Sequence, residues 1–532
     1  MNRLNKNSFQ RLPGLLAILL MVQINLTAQL AGVLLNEPEA ENGYVLLKIP
    51  DLDEYFLIDN CGGVVNSWKV EDPYYNHAKL LPNGNLLYFR HDRIVELTWE
   101  GSVDHVILFE QLNIELDYEV IKMESGNYLA VGRKNKSDQE FLDLGFDLSD
   151  QFPQVVDVII EIDYETGDLV WEWDISDHII QERNPNAGNF GVVAEHPELL
   201  DVDAISDFDW TFYESFMING FDYNPTLDQC ALSIRKMSEV IIIDQSTTTA
   251  EAATGSGGNS GKGGDVLFRW GNPQNYGRGN ENDRKLWFQH NPKWATVGPY
   301  AGKLTAFNNG LDRQFNSFSF SEAPVIDTEV DATGQYQLDE NDEYSSGEPL
   351  FIYHSVSESD NFYSGYLSGA QLLPNGNAFI TVGGSAQLKE FDRDGKLLWE
   401  FQYPGNDSPF RTEKYLDDYP AFEGKDLSPD GLIMFTKPLA GCTTTSIEEP
   451  YKQLSNIGIK RIDKSSYEIT NPDQLNLNLQ LHDMKGQKLS TLTVEYALII
   501  YEIPSLVSGM YLLSIQDKDS GQQKSIKLVI TE

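Results

Sequence analysis

The sequence predicts an all-β protein, with a six-bladed β-propeller over residues 29–445 and a small β-sandwich over residues 446–532. Three observations predict this fold. A turn motif built on Asn-Gly or Asp-Gly recurs along the chain, a second hairpin motif ends in a tryptophan, and Asn85 and Asn127 of two clear turn copies lie 42 residues apart. A repeat of about 40–50 residues is the length of one four-stranded propeller blade.

The turn motif leads into a strand in each repeat. It occurs in six places, of which the last three are less regular: 81–88, 123–130, 373–380, 427–433, 223–228 and 298–307. Asn-Gly and Asp-Gly suit the positive φ angles of hairpin turns, and a preceding proline presets φ for a type I turn. Six copies predict six blades, with long insertions between some of them.

The hairpin motif supplies the outer strands. Its copies lie at 58–68, 162–171, 265–270 and 391–399. Asp and Gly form the turn, apolar residues form the strands, and the tryptophan is expected to fill the space between adjacent sheets. Closing the sheets into a circle leaves only short edges, which suits a large all-β chain. A large β-sandwich or two separate β domains is the alternative interpretation.

The composition excludes two classes of protein. Lys and Arg total 39 against 81 Asp and Glu, which gives a net charge of −42 at pH 7. Such a charge argues against binding to a nucleic-acid backbone. Hydrophobic residues make up 41% of the chain, which is enough for a large core and excludes global disorder. Three cysteines allow at most one disulfide, and the sequence does not tell which pair forms it.

Residues 1–28 are predicted to be a secretory signal peptide. Arg3, Lys6 and Arg11 precede an apolar run at 15–22, and Ala28 supplies a small residue before Gln29. The run is shorter than the about 20 residues that span a bilayer. An uncleaved membrane anchor is the alternative interpretation. Because no later segment approaches that length, we expect an exported protein with no stable membrane span, either secreted or attached to the cell surface.

The C-terminal region, residues 446–532, has short alternating strands and none of the tryptophan motifs found upstream. Its strand-and-turn motifs follow one another at 471–472, 481–486, 508–513 and 524–530. In this order they resemble the type A C-terminal sorting domain of the type IX secretion system of Bacteroidetes. The resemblance implies export by that machinery, removal of this domain and the option of attachment to surface lipopolysaccharide. A small β-sandwich for adhesion is the alternative.

Local motifs for metal binding and for several kinds of catalysis are not found in the sequence. The eight histidines are not at metal-site spacing and the three cysteines are scattered, so we predict neither a metal site nor a cofactor. No Gly-x-Ser-x-Gly nucleophile motif occurs. The glycine-rich stretch 255–263 departs from the phosphate-loop pattern at Ser256 and Gly263. We interpret it as a flexible loop between two strands.

Several longer motifs run through the middle of the chain. They are, in order, Asp222-Tyr223-Asn224-Pro225, the stretches 246–249 and 257–265, Arg269-Trp270-Gly271-Asn272-Pro273-Gln274, 276–279, Gln289-His290, 307–310 and 368–371. Together they resemble the bacterial aryl-sulfate sulfotransferase family, which uses phenolic sulfate esters as donors instead of a nucleotide cofactor. The resemblance covers nearly all of residues 40–440. It implies a six-bladed propeller with its site in the central channel, which agrees with the repeat count.

The resemblance also implies the site residues. In the family a histidine is sulfated on nitrogen and then passes the group to a second phenol, and His290 matches that histidine. Arg235 and Asn219 match the arginine and asparagine that bind the sulfate. A neutral imidazole is nucleophilic near pH 7, and a sulfated imidazole is a good leaving group. The expected partners are therefore an aryl sulfate donor and a phenolic acceptor.

The sequence departs from the family where further histidines would assist. Met217 stands two residues before Asn219, Tyr366 precedes Ser368-Gly369, and Gln245 precedes Ser246, each where relatives have histidine. Asp117-Tyr118-Glu119 replaces a His-His-Asp group. Acid–base assistance typically contributes 10²–10⁴-fold. Met217, Tyr118, Glu119 and Tyr366 are the candidates to replace these histidines, although Glu119 or Asp117 would place negative charge beside an anionic donor.

The lost histidines keep two other functions open. One is a surface-displayed propeller without catalytic activity that binds an aromatic or sulfated ligand, or a partner protein, through its channel. The other is a purely structural role.

Overall fold

The computed structural model is built almost entirely of β-strands, and its helices are few and short. The described residues are 31–49, 53–70, 77–109, 113–146, 155–205, 216–313, 320–328, 330, 335, 336, 338, 344, 348–354, 362–404, 408–433, 439, 442, 457–461, 466–470, 475–483, 488–494, 498–502, 509–518 and 523–530. The predicted signal peptide at 1–28 lies outside them, as do the C-terminal motif at 471–472 and part of that at 481–486.

The strands before residue 420 are β1 (Gly32–Asn36), β2 (Gly43–Lys48), β3 (Glu54–Asp59), β4 (Val64–Lys69), β5 (Ala78–Leu80), β6 (Leu86–Arg90), β7 (Arg93–Leu97), β8 (Val103–Leu108), β9 (Ile114–Lys122), β10 (Tyr128–Asn135), β11 (Val155–Ile162), β12 (Leu169–Asp174), β13 (Ile179–Ile180), β14 (Leu200–Asp201), β15 (Ile218–Asn224), β16 (Gln229–Ile234), β17 (Glu239–Asp244), β18 (Phe268–Trp270), β19 (His290–Trp294), β20 (Leu304–Phe307), β21 (Ala323–Ile326), β22 (Phe351–Tyr353), β23 (Gly369–Leu372), β24 (Ala378–Val382), β25 (Gln387–Phe391), β26 (Leu397–Gln402) and β27 (Glu413–Leu416).

The remaining strands are β28 (Gly458–Arg461), β29 (Ser466–Thr470), β30 (Leu477–Asp483), β31 (Lys488–Val494), β32 (Leu498–Glu502), β33 (Gly509–Asp517) and β34 (Gln523–Ile530). The α-helices are α1 (Asp138–Asp143) and α2 (Thr249–Ala252). Short 3₁₀ helices are Ile175–His178, Val193–Glu195, Val202–Ala204, Arg235–Met237, Pro273–Tyr276, Glu281–Asp283, Gly298–Tyr300, Gly383–Ser385 and Pro420–Phe422.

Six antiparallel sheets contain nearly all strands up to β27. Sheet 1 is β27-β2-β3-β4, sheet 2 is β5 to β8, and sheet 3 is β9 to β12. Sheet 4 is β15 to β18, sheet 5 is β19 to β22, and sheet 6 is β23 to β26 with β1 added beside β26. Strands β13 and β14 form a separate parallel pair. Because β27 pairs with β2, backbone hydrogen bonds join the two ends of this region.

One edge strand of each sheet contacts its counterparts in a closed circle, and we call β5, β9, β15, β19, β23 and β27 the inner strands. The contacts that close the circle are Lys79 to Glu119 (2.7 Å), the Phe221 N–H to Glu119 (3.3 Å), the Trp294 N–H to Asp222 (2.8 Å), Asn291 to the Ala370 carbonyl (3.5 Å), Gln371 to the Lys414 carbonyl (2.9 Å) and the Leu80 N–H to Tyr415 (2.8 Å). The inner strands therefore surround a common centre.

Tryptophans of the hairpin motif join neighbouring sheets. The indole N–H groups donate across sheet boundaries, from Trp68 to the Thr98 carbonyl (3.0 Å), from Trp171 to Thr247 Oγ1 (3.0 Å) and from Trp399 to the Asn60 carbonyl (2.8 Å). A buried indole needs a partner for its N–H. These residues thus fill the gaps between sheets and orient one sheet on the next.

The asparagine that follows the glycine of the turn motif has a structural role. Its amide nitrogen donates to a glutamate on the strand after the one that the turn leads into, from Asn85 to Glu96 (2.9 Å), from Asn127 to Glu161 (2.7 Å) and from Asn377 to Glu390 (2.7 Å). The preceding glycine has a positive φ in each copy, as the turn requires. Three copies of the sequence motif therefore form the same Asn-to-Glu hydrogen bond in the structure.

The C-terminal strands form two sheets, β28-β29-β32 and β31-β30-β33-β34. Tyr467 and Ile469 of the first sheet share a buried cluster with Leu479, Leu481 and Leu513 of the second. The predicted sandwich and the domain boundary at 445/446 remain predictions.

A disulfide joins Cys61 to Cys442 across 381 residues of sequence, and the third cysteine, Cys230, is buried. Cys61 lies at the end of the turn between β3 and β4 of sheet 1, whereas Cys442 follows the last inner strand. Among the described residues, no helix is long and apolar enough to span a membrane.

Candidate functional site

His290 begins inner strand β19 and is only 2% exposed. Its Nδ1 lies 2.7 Å from Asn309 Oδ1. That amide has one orientation, because Asn309 Nδ2 donates to the carbonyls of Ser364 (2.8 Å) and Leu367 (3.1 Å). Since Oδ1 can only accept a hydrogen bond, Nδ1 of the neutral imidazole carries the proton. The lone pair is therefore on Nε2, the atom that could act as a nucleophile.

The surroundings keep this imidazole neutral at pH 7. Burial lowers the pKa of His290 well below its usual value, and the charge of Arg235 lowers it further. The Asn309 hydrogen bond acts in the opposite direction, while Arg411 adds to the lowering. Two guanidinium groups are thus close enough to influence the ring. Such a site favours an anion beside a neutral imidazole.

Asn219 holds the backbone in front of His290. Its Nδ2 donates to the Gln289 carbonyl (2.8 Å), which also accepts from Ser233 Oγ (3.2 Å). Gln289 Nε2 in turn donates to the Glu239 carbonyl (2.7 Å) and so anchors β19 to sheet 4. An amide has two N–H donors, and the hydrogen bond to the Gln289 carbonyl uses one of those of Asn219.

Arg235 follows β16 and is buried at the start of a short 3₁₀ helix. Its backbone N–H donates to the Met217 carbonyl (3.0 Å). The guanidinium lies 5.1 Å from the ring centre of Phe288, and Nη1 lies 4.0 Å from Met217 Sδ. The structure therefore brings His290, Arg235 and Asn219 into one neighbourhood at the junction of sheets 4 and 5.

Tyr118 and Met217, which according to the resemblance stand in place of family histidines, pack in an apolar cluster with Phe410 and Leu367. The rings of Tyr118 and Phe410 are stacked with centres 6.1 Å apart. Tyr118 and Met217 have φ angles of 47° and 63°, which non-glycine residues seldom adopt. An apolar wall thus lies beside the polar groups around His290.

Glu119 does not carry the uncompensated negative charge that the sequence suggested. Its carboxylate lies 2.7 Å from Lys79 Nζ and 2.9 Å from Arg411 Nη1. Burial would raise its pKa, but the charges of Arg411 and Lys79 outweigh burial and hold the pKa at about 2. Asp117 is likewise neutralised, because it is paired with Arg133.

The two remaining positions that depart from the family pattern are not members of the apolar cluster of Tyr118 and Met217. Tyr366 is 49% exposed, and its hydroxyl lies 2.8 Å from Ser408 Oγ. Gln245 follows β17 and donates to Glu161 (2.8 Å), so it joins sheet 4 to sheet 3.

Two buried residues were missed by sequence reasoning. Arg411 precedes inner strand β27, and its guanidinium contacts Asn291 Oδ1 (2.9 Å) and the Tyr118 carbonyl (3.0 Å) as well as Glu119. His77 precedes inner strand β5 and packs edge-on against Phe410. An arginine next to a strand in such an acidic chain is a weak sequence signal that Arg411 could belong to the site. No nearby residue predicts which side chains it contacts.

No group of three or more His, Cys, Asp or Glu side chains that could hold a metal ion occurs within the described ranges. The glycine-rich stretch lies between β17 and β18, as expected, but it is folded onto this chain's own side chains. The N–H of Ser260 donates to Asp244 (2.7 Å), and the N–H of Asn259 donates to Ser246 Oγ (2.7 Å).

Residues 28–415 match the model of the arylsulfotransferase (ASST) family. Because the match covers more than half of the 532 residues, the chain belongs to this family. Its function is therefore arylsulfotransferase-like at the level of the family, and the family implies that it binds an aryl substrate. None of the curated proteins matches the sequence.

Several solved structures resemble the chain distantly. A protein of unknown function from Bacteroides caccae is 12% identical, covering 70% of this chain and 98% of that one, with a TM-score of 0.37. Streptogramin B lyase is also 12% identical, with coverages of 71% and 84% and a TM-score of 0.32. PorZ, a surface component of the type IX secretion system of Porphyromonas gingivalis, is 10% identical, with coverages of 90% and 74% and a TM-score of 0.20.

Proposed function

We propose that this protein transfers a sulfuryl group from an aryl sulfate to a phenolic acceptor through a sulfated His290. The observation that carries the proposal is the state of this imidazole. Asn309 holds the proton on Nδ1, and burial together with Arg235 disfavours the charged ring, so Nε2 keeps its lone pair. Nearby guanidinium groups suit the anionic oxygens of a sulfate ester.

The reaction consists of two displacements at sulfur. In the first, Nε2 attacks the sulfur, the N–S bond forms, and the S–O bond breaks with its electron pair leaving on the phenolate. In the second, the acceptor oxygen attacks, and the electrons of the S–N bond return to Nε2. Arg235 and the second N–H of Asn219 bind the sulfuryl oxygens. Asn309 stabilises the positive charge of the sulfated ring through its hydrogen bond.

The apolar cluster beside the imidazole is assigned to the aryl group. Tyr118, Met217 and Phe410 offer ring faces and a polarisable thioether. Unusual φ angles at Tyr118 and Met217 support a functional assignment, because such strain collects at binding and catalytic sites.

We propose that the six sheets are the blades of one closed propeller. The circle of contacts between inner strands supports it, as does the pairing of β27 with β2. The inner strands then surround a central channel, and His290, Tyr118 and Arg411 approach its axis from three different blades.

We also propose that residues 1–28 direct export and that residues 446–532 are recognised by the type IX secretion machinery. The protein is then secreted or attached to the cell surface. The Cys61–Cys442 disulfide supports an oxidising compartment. Deleting residues 446–532 should retain the protein inside the cell, as measured by immunoblots of cell fractions, whereas unchanged export would contradict this assignment.

A ligand-binding propeller without catalytic activity is the second candidate. The observation in its favour is that Tyr118 and Met217 belong to an apolar cluster where relatives have histidines. Such a protein would bind an aryl sulfate and release it unchanged.

One assay separates the two candidates. The full chain is given p-nitrophenyl sulfate with and without phenol, beside a His290→Asn variant and a His196→Gln control, whose histidine is partly exposed beside Glu198. A sulfotransferase releases nitrophenol in a phenol-dependent manner, and His290→Asn lowers the rate about 10⁴-fold or more. Saturable binding without release by the wild-type protein would overturn the enzyme proposal and favour the binder.

A further inference from the structure

His77 is a second buried imidazole among the inner strands. It is 3% exposed, and its ring meets that of Phe410 edge-on, with centres 6.1 Å apart. Its Nε2 is buried and has no hydrogen-bond partner within the described part of the chain. Leaving a buried polar atom without a hydrogen bond destabilises the fold. A ligand that pairs with this nitrogen would remove that destabilisation.

His77 lies across the circle of inner strands from His290. It precedes the inner strand of sheet 2, whereas His290 begins that of sheet 5, three sheets further along. Arg411 of sheet 1 links the two sides: its guanidinium is hydrogen-bonded to Asn291, the neighbour of His290, and its charge acts on both imidazoles.

The charges that face His77 come from three inner strands. Burial lowers its pKa to about 3, and Arg411 and Lys79 contribute to the lowering, while Glu119 and Glu413 oppose it. The ring is therefore neutral at pH 7 and able to accept a proton.

We propose that His77 is the catalytic base for the acceptor phenol, which is an inference that rests on the proposed sulfotransferase function. In the second displacement the phenol proton moves to His77 Nε2 while the phenol oxygen attacks sulfur. The S–N bond breaks, and its electron pair returns to His290. After the sulfated product leaves, His77 gives the proton to water and is neutral again at pH 7. The phenolate released from the donor takes a proton from water, so protons balance over the cycle. His77 thereby supplies the acid–base group that Tyr118 and Met217 cannot supply.

A His77→Gln variant of the full chain tests this assignment by rapid-quench kinetics. Nitrophenolate leaves without being protonated, so the variant should still give the initial burst of one nitrophenol per protein molecule. Steady-state turnover with phenol should fall about 10²–10⁴-fold. Pentafluorophenol, which is ionised at the assay pH, needs no base, so with this acceptor the variant should approach the wild-type rate. His196→Gln is the matched control and should leave both phases unchanged.

Each other outcome overturns the assignment in a recognisable way. Wild-type turnover of phenol by a folded His77→Gln variant would reject His77 as the base and leave the sulfotransferase proposal intact. Loss of the burst as well, with an unchanged near-UV circular dichroism spectrum, would also reject it. Neither burst nor turnover in the wild-type protein would reject both proposals.

A measurement on the wild-type protein covers the case in which His77→Gln does not fold. Proton transfer to His77 in the second displacement predicts slower turnover of phenol in deuterium oxide and no such effect with pentafluorophenol. Equal solvent isotope effects for the two acceptors would contradict the assignment.

Discussion

The two sides of the circle of inner strands hold their polar groups in different ways. On the side of sheets 4 to 6, Asn309, Asn219 and Gln289 are oriented by backbone carbonyls. On the side of sheets 1 to 3, Glu119 forms buried ion pairs with both Lys79 and Arg411.

Because of this difference, the position of the proposed nucleophile His290 does not depend on the charged residues across the circle. Hydrogen bonds to the main chain depend on the fold alone, so the geometry of His290 persists when residues across the circle change. Buried ion pairs depend on every member, because removing one leaves an uncompensated charge. A change at Tyr118, on the side of sheets 1 to 3, is therefore expected to leave the hydrogen bond between Asn309 and His290 undisturbed.

The largest effect on stability is expected from Glu119→Gln. It leaves the buried charges of Arg411 and Lys79 without their shared partner, which should cost about 3–5 kcal/mol of unfolding free energy. Urea denaturation at pH 7 measures it. Glu100→Gln is the control, because Glu100 is 71% exposed in its pair with Lys425 and such pairs contribute at most about 1 kcal/mol. Equal losses in both variants would contradict the proposed difference between the two sides.

The stability difference between the wild type and Glu119→Gln should also depend on pH. Because the folded pKa of Glu119 is held at about 2, below its ordinary value, its ionised form stabilises the fold above about pH 4.5. This contribution is lost as the pH falls from about 4.5 to 2. The difference in stability between wild type and Glu119→Gln should therefore shrink over that interval. A stability difference that stays constant over this interval would contradict the assigned role of the Glu119 carboxylate.

Arg235→Lys tests the proposed anion site on the side of sheets 4 to 6, and we expect it to affect stability less than Glu119→Gln does. Lysine keeps the charge but loses the planar, two-pronged donor geometry, so the burst rate with p-nitrophenyl sulfate should fall about 10²–10³-fold. Urea denaturation should show a smaller loss than that of Glu119→Gln, because lysine keeps the positive charge. Arg183→Lys, in a half-exposed pair with Asp203, is the matched control and should not change the burst. An unchanged burst in Arg235→Lys would remove Arg235 from the anion site.

The smallest expected change is in the pH profile of the burst. An unperturbed imidazole loses half of its neutral form at about pH 6.5, but burial and Arg235 lower the pKa of His290 well below that value. The burst rate should therefore stay flat from pH 8 to about 5 when samples are quenched in alkali. A half-maximal rate near pH 6.5 would mean that the ring is not shielded from water.

Features that depend on residues close together in the chain could be predicted from the sequence. The Asn-Gly turns, the tryptophan hairpins and the all-β class follow from local backbone preferences and from alternation along strands. Family motifs predicted His290, Arg235 and Asn219 as site residues, and the structure places them in one neighbourhood. The blade count and the sorting role of residues 446–532 remain predictions.

Contacts between residues that are distant in the chain could not be predicted from the sequence and depend on how the sheets pack. The approach of Arg411 to Asn291, the neutralisation of Glu119 by Lys79 and Arg411, and the pairing of Cys61 with Cys442 all require inner strands from different sheets to lie side by side. No local pattern encodes these contacts, because they arise when β27 pairs with β2 and the circle of sheets closes. Burial then sets the charge states, since desolvation and nearby charges shift each pKa.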